Sequence, residues 1–247
     1  MSRRAALLTS ALLTRGLTAA LRHRAPGGRD RWERKNHAGR TVDLYAGPAS
    51  AAATALAAAR VHPAAGLAVL AAGACGAYDD IAGADDPRRG FRAHLGALGT
   101  GEVTSGAVKL FGISAAALAA GTLLKERPLD RLLAGVVIAG AAHTANLLDV
   151  RPGRAACAVL ALAAPGLARG GAGGALAAVA VGGAGAVLPG DLGERAMLGD
   201  TGAHALGAVL GTAVVSANGR VGLLVHAGAV VAAAVGGDRV SAWVRAL

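Results

Sequence analysis

Two adjacent carboxylates, Asp79 and Asp80, close a long apolar segment of the chain. A carboxylate at a membrane boundary is unfavourable unless it is hydrated, paired or bound to a cation. Adjacent residues on a helix point about 100° apart, so the two side chains have different surroundings. One is able to face a metal ion or a phosphate while the other positions a base or a lysine. The alternative is a helix terminus with two solvated acids.

Three further polar residues, His143, Asn146 and Asp149, close another apolar segment. They recur every three positions and therefore lie along one face of a helix. An imidazole, an amide and a carboxylate on one face are unfavourable in contact with lipid, which favours a role in lining a polar site. A hydrogen-bonded contact between two helices is the alternative.

A third acidic motif, with Gly199, Asp200 and Gly202, opens a late apolar segment. Asp is a favoured N-cap residue, and that role alone would account for Asp200. Glycines also let a diphosphate or a metal approach the backbone closely, and the N-terminus of a helix favours an anion. When the three acidic motifs are considered together, a shared site for a metal and a diphosphate explains them better than three separate helix ends.

Basic side chains are concentrated in a segment that contains Arg34, Lys35 and His37. Arg supplies planar, two-pronged contacts and Lys a compact charge, so the segment suits a phosphate clamp. A solvated loop against lipid head groups is the alternative. Lys109, just inside a further apolar segment, either snorkels to the membrane interface or reaches a substrate phosphate.

Helices of a membrane bundle must position these residues, because the composition differs from that of a soluble domain. Hydrophobic residues make up 54% of the 247 residues and charged residues 16%, whereas a soluble domain carries about 25% charged residues. We predict an all-α fold, a polytopic membrane helical bundle of about nine transmembrane helices, each near the roughly 17–20 residues that a bilayer core requires. The predicted spans are 6–21, 44–60, 63–78, 108–124, 131–148, 155–168, 172–188, 203–217 and 221–236.

The whole chain, residues 1–247, is predicted to form a single integral membrane domain. Arg3 and Arg4 precede the first apolar run as in a signal peptide, but Arg15 interrupts the run and no small-residue cleavage site is evident, so a retained helix is expected. The predicted parts are a first helix with a basic cytoplasmic loop, a transmembrane catalytic core and a short cytoplasmic tail, at 1–43, 44–236 and 237–247.

The alternation of nine spans divides the loops into two sets of different charge. The first set carries most of the Lys and Arg residues and nearly all of the Asp and Glu residues; it comprises 22–43, 79–107, 149–154, 189–202 and 237–247. By the positive-inside rule this set is cytoplasmic, and the three acidic motifs all emerge there. The formal net charge of +10 indicates contact with anionic lipid head groups and not with nucleic acid.

The three acidic motifs, in this order and at these helix ends, resemble those of the polyprenyl-phosphate N-acetylhexosamine-1-phosphate transferase family, which includes phospho-MurNAc-pentapeptide translocase. The family's Asp-Asp motif matches Asp79 and Asp80, and its Asn-x-x-Asn-x-x-Asp motif matches His143, Asn146 and Asp149. Its Gly-Asp-x-Gly motif matches Gly199, Asp200 and Gly202. The Arg-Lys-x-His stretch of some members resembles Arg34, Lys35 and His37. The chain differs from the family in its His at the first position of the second motif. A late His-rich loop is not evident in it, and about nine spans are expected here against ten or more in the family.

The resemblance implies transfer of a sugar 1-phosphate, HexNAc-1-phosphate, from a UDP-sugar to a polyprenyl phosphate, with release of UMP, in cell-envelope glycan synthesis. It also implies a multi-pass protein of the bacterial plasma membrane with its active face towards the cytoplasm. The expected catalytic residues are Asp79, Asp80, Asp149 and Asp200. The expected substrate-binding residues are Arg34, Lys35, His37, Lys109, His143, Asn146, Gly199 and Gly202. The expected cofactor is Mg²⁺, with Mn²⁺ as an alternative, on Asp200 and Asp79.

The charges of the two substrates agree with this expectation. An anionic lipid phosphate and an anionic UDP-sugar repel each other, so a divalent cation and basic side chains must offset the repulsion. The expected partners are these two substrates and membrane lipid, with no nucleic acid; a homodimer is left open. Two alternatives remain: a degenerate family member that binds a lipid phosphate or a partner protein without catalysis, and a transporter. The position of the acids at one face, away from the midplane, disfavours the transporter.

Overall fold

The computed structural model of the protein describes residues 1–83 and 91–246, apart from the side chains of Phe91, Arg92, Leu95 and Asp238. Residues 84–90, within the predicted loop 79–107, and Leu247, at the end of the predicted tail, lie outside the described residues. In the described part the fold is all-α, with eleven α-helices and one short β-hairpin.

A helix coincides with each of the nine predicted spans, and α4 and α11 are additional. The α-helices are α1 (Arg3–Arg24), α2 (Ala46–Ala59), α3 (Pro63–Ala82), α4 (Phe91–Gly99), α5 (Ser105–Leu124), α6 (Pro128–Leu148), α7 (Arg154–Ala163), α8 (Gly171–Leu192), α9 (Gly199–Ala217), α10 (Arg220–Val235) and α11 (Gly237–Ala246). Two 3₁₀ helices span Arg29–Trp32 and Ala164–Ala168. The hairpin pairs β1 (Glu33–Lys35) with β2 (Thr41–Asp43) in antiparallel register.

Four helices, α3, α5, α6 and α8, are long and apolar enough to cross a membrane. A fifth span results if α10 and most of α11, bent by 82°, count as one. The protein is thus a multi-pass membrane protein by the length and composition of its helices. The other predicted spans do not reach this length and hydropathy: α2 has 14 residues, α7 has 10, and α1 contains several arginines.

Helix α9 lies at the centre of the bundle and packs against α2, α3, α6 and α8. All of its residues from 201 to 213 are buried. Small residues permit this close packing: an added Cβ at Gly207 would lie 2.6 Å from the Cα atom of Ala142 in α6, and one at Gly211 would lie 2.8 Å from the Cα atom of Ile138. Helices in a membrane associate largely through such close contact, because lipid tails are as apolar as the side chains.

Polar contacts assign one set of helix ends to a single face of the bundle, called here the hairpin face. Arg22, at the end of α1, forms an ion pair of 2.9 Å with Asp43 of β2. Arg34 of β1 donates a hydrogen bond of 3.1 Å to the main-chain oxygen of Asp80, at the end of α3. The main-chain N–H of Met197, before α9, donates to the Asp43 oxygen at 2.8 Å. The ends of α1 and α3 and the start of α9 therefore meet at the hairpin.

The other helix ends meet at the opposite face. The Lys125 ammonium, after α5, donates to the main-chain oxygen of Asn218, after α9, at 2.8 Å. Arg220 of α10 pairs with Asp130 of α6 at 2.7 Å. Arg3 of α1 donates to the main-chain oxygen of Leu167. The ends of α1, α3, α5, α6, α9 and α10 that these contacts join thus fall into the two groups that the predicted alternation gives them.

Two segments that the sequence analysis predicted as a loop and a tail each contain a helix. The predicted loop 79–107 contains α4, and the predicted tail 237–247 contains α11. In α11, Val240 and Val244 are four residues apart and share a helix face; Val244 is buried. The hydroxyl of Ser241 donates to the main-chain oxygen of Leu147 at 2.9 Å. The tail therefore packs against the end of α6 instead of extending freely.

Replacement of Gly207 by Ala is expected to lower the melting temperature of the purified protein in detergent. The added methyl group would press on the α6 backbone, and overpacking of this kind costs about 1–3 kcal/mol. Ala recovers only about 1 kcal/mol of helix propensity relative to Gly. The matched control is Gly228→Ala in α10, where nothing lies within 4 Å of the added Cβ. Equal melting temperatures for the two variants would contradict close packing of α6 on α9.

Candidate functional site

The centre of the site is the ammonium group of Lys109, which two carboxylates share. Its Nζ atom donates a hydrogen bond of 2.7 Å to Oδ2 of Asp79 and a second hydrogen bond to Oδ2 of Asp200. The three residues come from the start of α5, the end of α3 and the start of α9. Their side chains are 17%, 21% and 26% exposed, in the order Lys109, Asp79 and Asp200. One positive charge therefore faces two negative charges in a largely water-excluded place.

Asp80 has a different set of partners from Asp79. Its Oδ1 accepts the main-chain N–H of Asp200 at 2.9 Å, and its Oδ2 accepts the N–H and the hydroxyl of Thr201 at 3.0 and 2.5 Å. These donors belong to the first turn of α9, whose N–H groups lack partners within the helix. Asp80 therefore caps α9 from α3, with a negative charge at the positive end of the helix dipole.

The two glycines of the third motif allow the start of α9 to approach its neighbours. Gly199 adopts a φ of 59°, in the left-handed region that favours glycine, and a Cβ there would lie 2.9 Å from the Asp80 carboxylate. A Cβ at Gly202 would lie 3.0 Å from the Cα atom of Gly47 in α2. In this structure the close neighbours of both glycines are protein groups, and the glycines hold Asp200 against α2 and α3.

A cavity of about 360 Å³ opens beside Lys109, between α5, α6 and α10. Its polar lining includes Lys109, His143, Asn146 and His204. The apolar lining includes Leu110, Ile113, Val136, Val230 and Val231. His143 and Asn146 lie on the same side of α6, as their spacing predicts. The lining thus combines one ammonium group and several hydrogen-bonding side chains with apolar walls.

Asp149 lines a second, smaller cavity of about 60 Å³, together with His37 of the hairpin and Asp191 of α8. It is separated from Asn146 because α6 ends at Leu148 and Asp149 is the C-cap, with φ −82° and ψ 50°. The three-residue spacing therefore stops defining a helix face at this point. Burial raises the pKa of Asp149 well above its usual value, and the negative charges of nearby acids, Asp191 first, raise it further.

The hairpin residues form mostly local contacts. The Lys35 ammonium donates to the hydroxyl of Thr41 on the paired strand at 2.7 Å. The Arg34 guanidinium donates to the main-chain oxygens of Arg31 and Glu33 as well as to that of Asp80. Arg34 therefore fastens the hairpin to the end of α3, and Lys35 stabilises the hairpin itself.

The cavity beside Lys109 is also lined by two histidines, His204 and His94, to which the sequence analysis assigned no role. His204 is buried one turn after Asp200, and its Nδ1 atom lies 2.7 Å from the main-chain oxygen of Asp200. Its spacing of four residues from Asp200 was an available signal. His94 of α4 lies 2.9 Å from the hydroxyl of Thr104 through its Nδ1 atom. No local signal identified His94, because it lies in a segment predicted as loop.

The donor set suits a divalent cation held by few protein ligands. Within residues 1–83 and 91–246, no three His, Cys, Asp or Glu side chains are grouped for a metal. Asp79 and Asp200 nevertheless converge on one cation, the Lys109 ammonium. Mg²⁺ commonly takes one or two carboxylates and completes its shell with water and substrate phosphates. Asp79 and Asp200 are therefore the described carboxylates placed to share a cation of this kind.

No protein-family model matches the sequence, and no match was found among curated proteins. The family resemblance therefore depends on the motifs alone.

Asp80→Ala is expected to lower the melting temperature more than Asp80→Asn. Loss of a capping side chain costs about 0.5–2 kcal/mol, and Ala leaves three donors of α9 without an acceptor. Asn keeps one acceptor oxygen and the volume of Asp. Thermal unfolding of the two variants in the same detergent measures the difference. Identical losses would show that the hydrogen bonds to α9 contribute little.

Asp149→Asn is expected to stabilise the protein increasingly as the pH rises. The raised pKa means that the folded state holds the Asp149 proton more tightly than the unfolded state, whose pKa is about 3.9. The stabilising contribution is complete below the unfolded-state pKa and is lost as the pH rises through the folded-state pKa. Melting temperatures of both proteins should therefore converge at acid pH and diverge at neutral pH. A difference independent of pH would contradict the raised pKa.

Proposed function

We propose that the protein transfers a sugar 1-phosphate, in the first instance HexNAc-1-phosphate, from a UDP-sugar to a polyprenyl phosphate and releases UMP. The observation that carries the proposal is the Lys109 ammonium, held between Asp79 and Asp200 at the polar end of an apolar cavity. A polyprenyl phosphate has the same division into an anionic head and an apolar chain. The substrate class and the cavity therefore match in polarity.

The polar end of the cavity supplies cationic and hydrogen-bonding groups for a phosphate. Lys109 provides the positive charge, and His143 and Asn146 provide donors on the facing helix. The apolar walls from α5, α6 and α10 suit an isoprenoid chain. An acceptor phosphate at Lys109 would lie beside Asp79 and Asp200, where the donor diphosphate must also bind for transfer to occur.

Joining two anionic substrates requires compensation of their charge. Mg²⁺, when bound, would supply a Lewis acid that neutralises the diphosphate of the donor. Asp79 and Asp200 would hold it, and Lys109 would then donate to the acceptor phosphate. Asp80 would keep Asp200 in position through its hydrogen bonds to the first turn of α9. The acceptor phosphate oxygen would attack the sugar-linked phosphorus, and UMP would leave.

We further propose that the chain crosses the membrane nine times, with the hairpin face towards the bacterial cytoplasm. Helix α1, with 22 residues, extends between the two faces: it runs from the Leu167 contact of Arg3 to the Asp43 contact of Arg22. Helix α9, with 19 residues, is about 28 Å long, which is close to the thickness of a bilayer core. The positive-inside rule supports the orientation.

A second candidate function is binding of a lipid phosphate without turnover. The observation that favours it is the same ammonium, because Lys109 occupies the point between two carboxylates that a divalent cation would take. A protein that keeps this ion pair in the presence of Mg²⁺ would still present hydrogen-bond donors from Lys109, His143 and Asn146, beside apolar walls, to a lipid phosphate. The two functions differ in the release of UMP.

Asp200→Asn is expected to reduce UMP release by at least about a hundredfold, because loss of a charge that acts on the transition state costs about 3 kcal/mol or more. The assay uses purified protein, Mg²⁺, undecaprenyl phosphate and a panel of UDP-HexNAc donors. The control is Asp130→Asn at the opposite face, where the lost ion pair with the half-exposed Arg220 matters little.

Undiminished UMP release by the Asp200→Asn variant would show that the site is wrongly assigned. Binding of undecaprenyl phosphate by the wild type, with no UMP from any donor in the panel, would instead support the binding function.

A further inference from the structure

A second basic cavity lies on another side of the bundle. Its volume is about 240 Å³, and its walls come from α1, from the ends of α8 and α2 that lie at the hairpin face, and from the turn before α9. Neither α5, α6 nor α10 contributes to it, and α1 contributes nothing to the cavity beside Lys109. The two cavities are therefore separate sites.

Three arginines line this cavity: Arg15 and Arg22 of α1, and Arg195. Among the residues that the structure describes, only Arg22 of these three has a carboxylate partner, Asp43. Arg195 donates to the main-chain oxygen of Pro189 at 2.9 Å. Within residues 1–83 and 91–246, Arg15 forms neither a hydrogen bond nor an ion pair. The cavity thus has an excess of two positive charges over its one neighbouring carboxylate.

The depth of Arg15 adds a further constraint. Arg22 lies at the hairpin face, and Arg15 is seven residues earlier on α1, which corresponds to about 10 Å along the helix axis. A guanidinium at this depth is unfavourable in contact with lipid tails unless it reaches the interface or meets an anion. Arg15 is exposed and faces a cavity that an anion could fill.

An apolar stripe continues from the arginines towards the opposite face. Leu8 and Leu12 are 55% and 66% exposed. They precede Arg15 by seven and three residues, so all three share one face of α1 with Ala19. The cavity wall itself includes Ala19 and Val187 between the arginines. An occupant that fits this surface has an anionic head and at least one apolar chain.

We propose that this cavity binds the phosphodiester head group of an anionic membrane phospholipid, with an acyl chain along Leu8 and Leu12. Arg15 and Arg195 donate to the phosphate oxygens in the two-pronged manner typical of guanidinium groups. Basic pockets between membrane helices at the cytoplasmic side bind lipid head groups in this way. The bound lipid joins α1 to α8 and to the turn that leads into α9. The proposal is independent of any transferase activity.

The test measures lipid binding by the full-length protein in a neutral detergent, by native mass spectrometry and by thermal shift. We expect dioleoyl-phosphatidylglycerol to bind and to raise the melting temperature, and dioleoyl-phosphatidylcholine to do neither. Arg15→Gln should weaken binding of phosphatidylglycerol by about tenfold, as expected for loss of a charge-assisted hydrogen bond. Arg4→Gln, the same substitution at an exposed site near the other end of α1, should leave it unchanged.

Equal binding of phosphatidylcholine, or equal affinity of the Arg15→Gln and Arg4→Gln variants, would overturn the proposal. Inorganic phosphate that produces the full thermal shift would identify a soluble anion as the ligand and would also overturn it. Displacement of phosphatidylglycerol by undecaprenyl phosphate at equal concentration would overturn the proposal as well. The Arg15→Lys variant keeps the positive charge but loses the planar guanidinium. If it binds phosphatidylglycerol more weakly than the wild type and more tightly than Arg15→Gln, the result supports two-pronged contact. Because the readout is binding, failure here leaves the UMP assay unaffected.

Discussion

The buried charge cluster of Lys109, Asp79 and Asp200 is the interaction on which the arrangement of the helices depends. Its three members come from α5, α3 and α9, so the ammonium has partners only when these helices meet in one register. Removal of Lys109 would leave two carboxylates buried without compensation, which costs far more than an exposed ion pair contributes. The cluster therefore fixes the relative heights of three helices and the composition of the site at once.

The adjacent acids of α3 divide two tasks between them. Asp79 faces the ammonium, whereas Asp80 faces the backbone of α9. Because neighbouring helix positions point in different directions, a single helix end is able to supply both a charged site residue and a cap for the helix that carries its partner. Asp200 shares Lys109 with Asp79. Its position, however, depends on Asp80, the next residue along α3.

Both cavities combine cationic side chains with apolar walls, and both lie near the hairpin face. This combination follows from their position at the ends of apolar helices, where the bundle passes from lipid to water. A basic group is tolerated there because it reaches anionic head groups or carboxylates. Lys109 meets two acids of the protein, whereas Arg15 meets none in the described part of the chain. The difference suggests an internal charge site in one case and a lipid-facing one in the other.

The sequence by itself determined the positions of the nine helices that coincide with the predicted spans, because apolar runs and charged breaks are local signals. It also proposed Asp79, Lys109 and Asp200 as candidate site residues. Only the tertiary structure decided that Lys109 joins the two acids and that Asp80 caps α9, since these contacts link residues from 30 to 121 positions apart. Asp149 illustrates the same limit: a helix that ends one residue earlier turned it towards a different cavity.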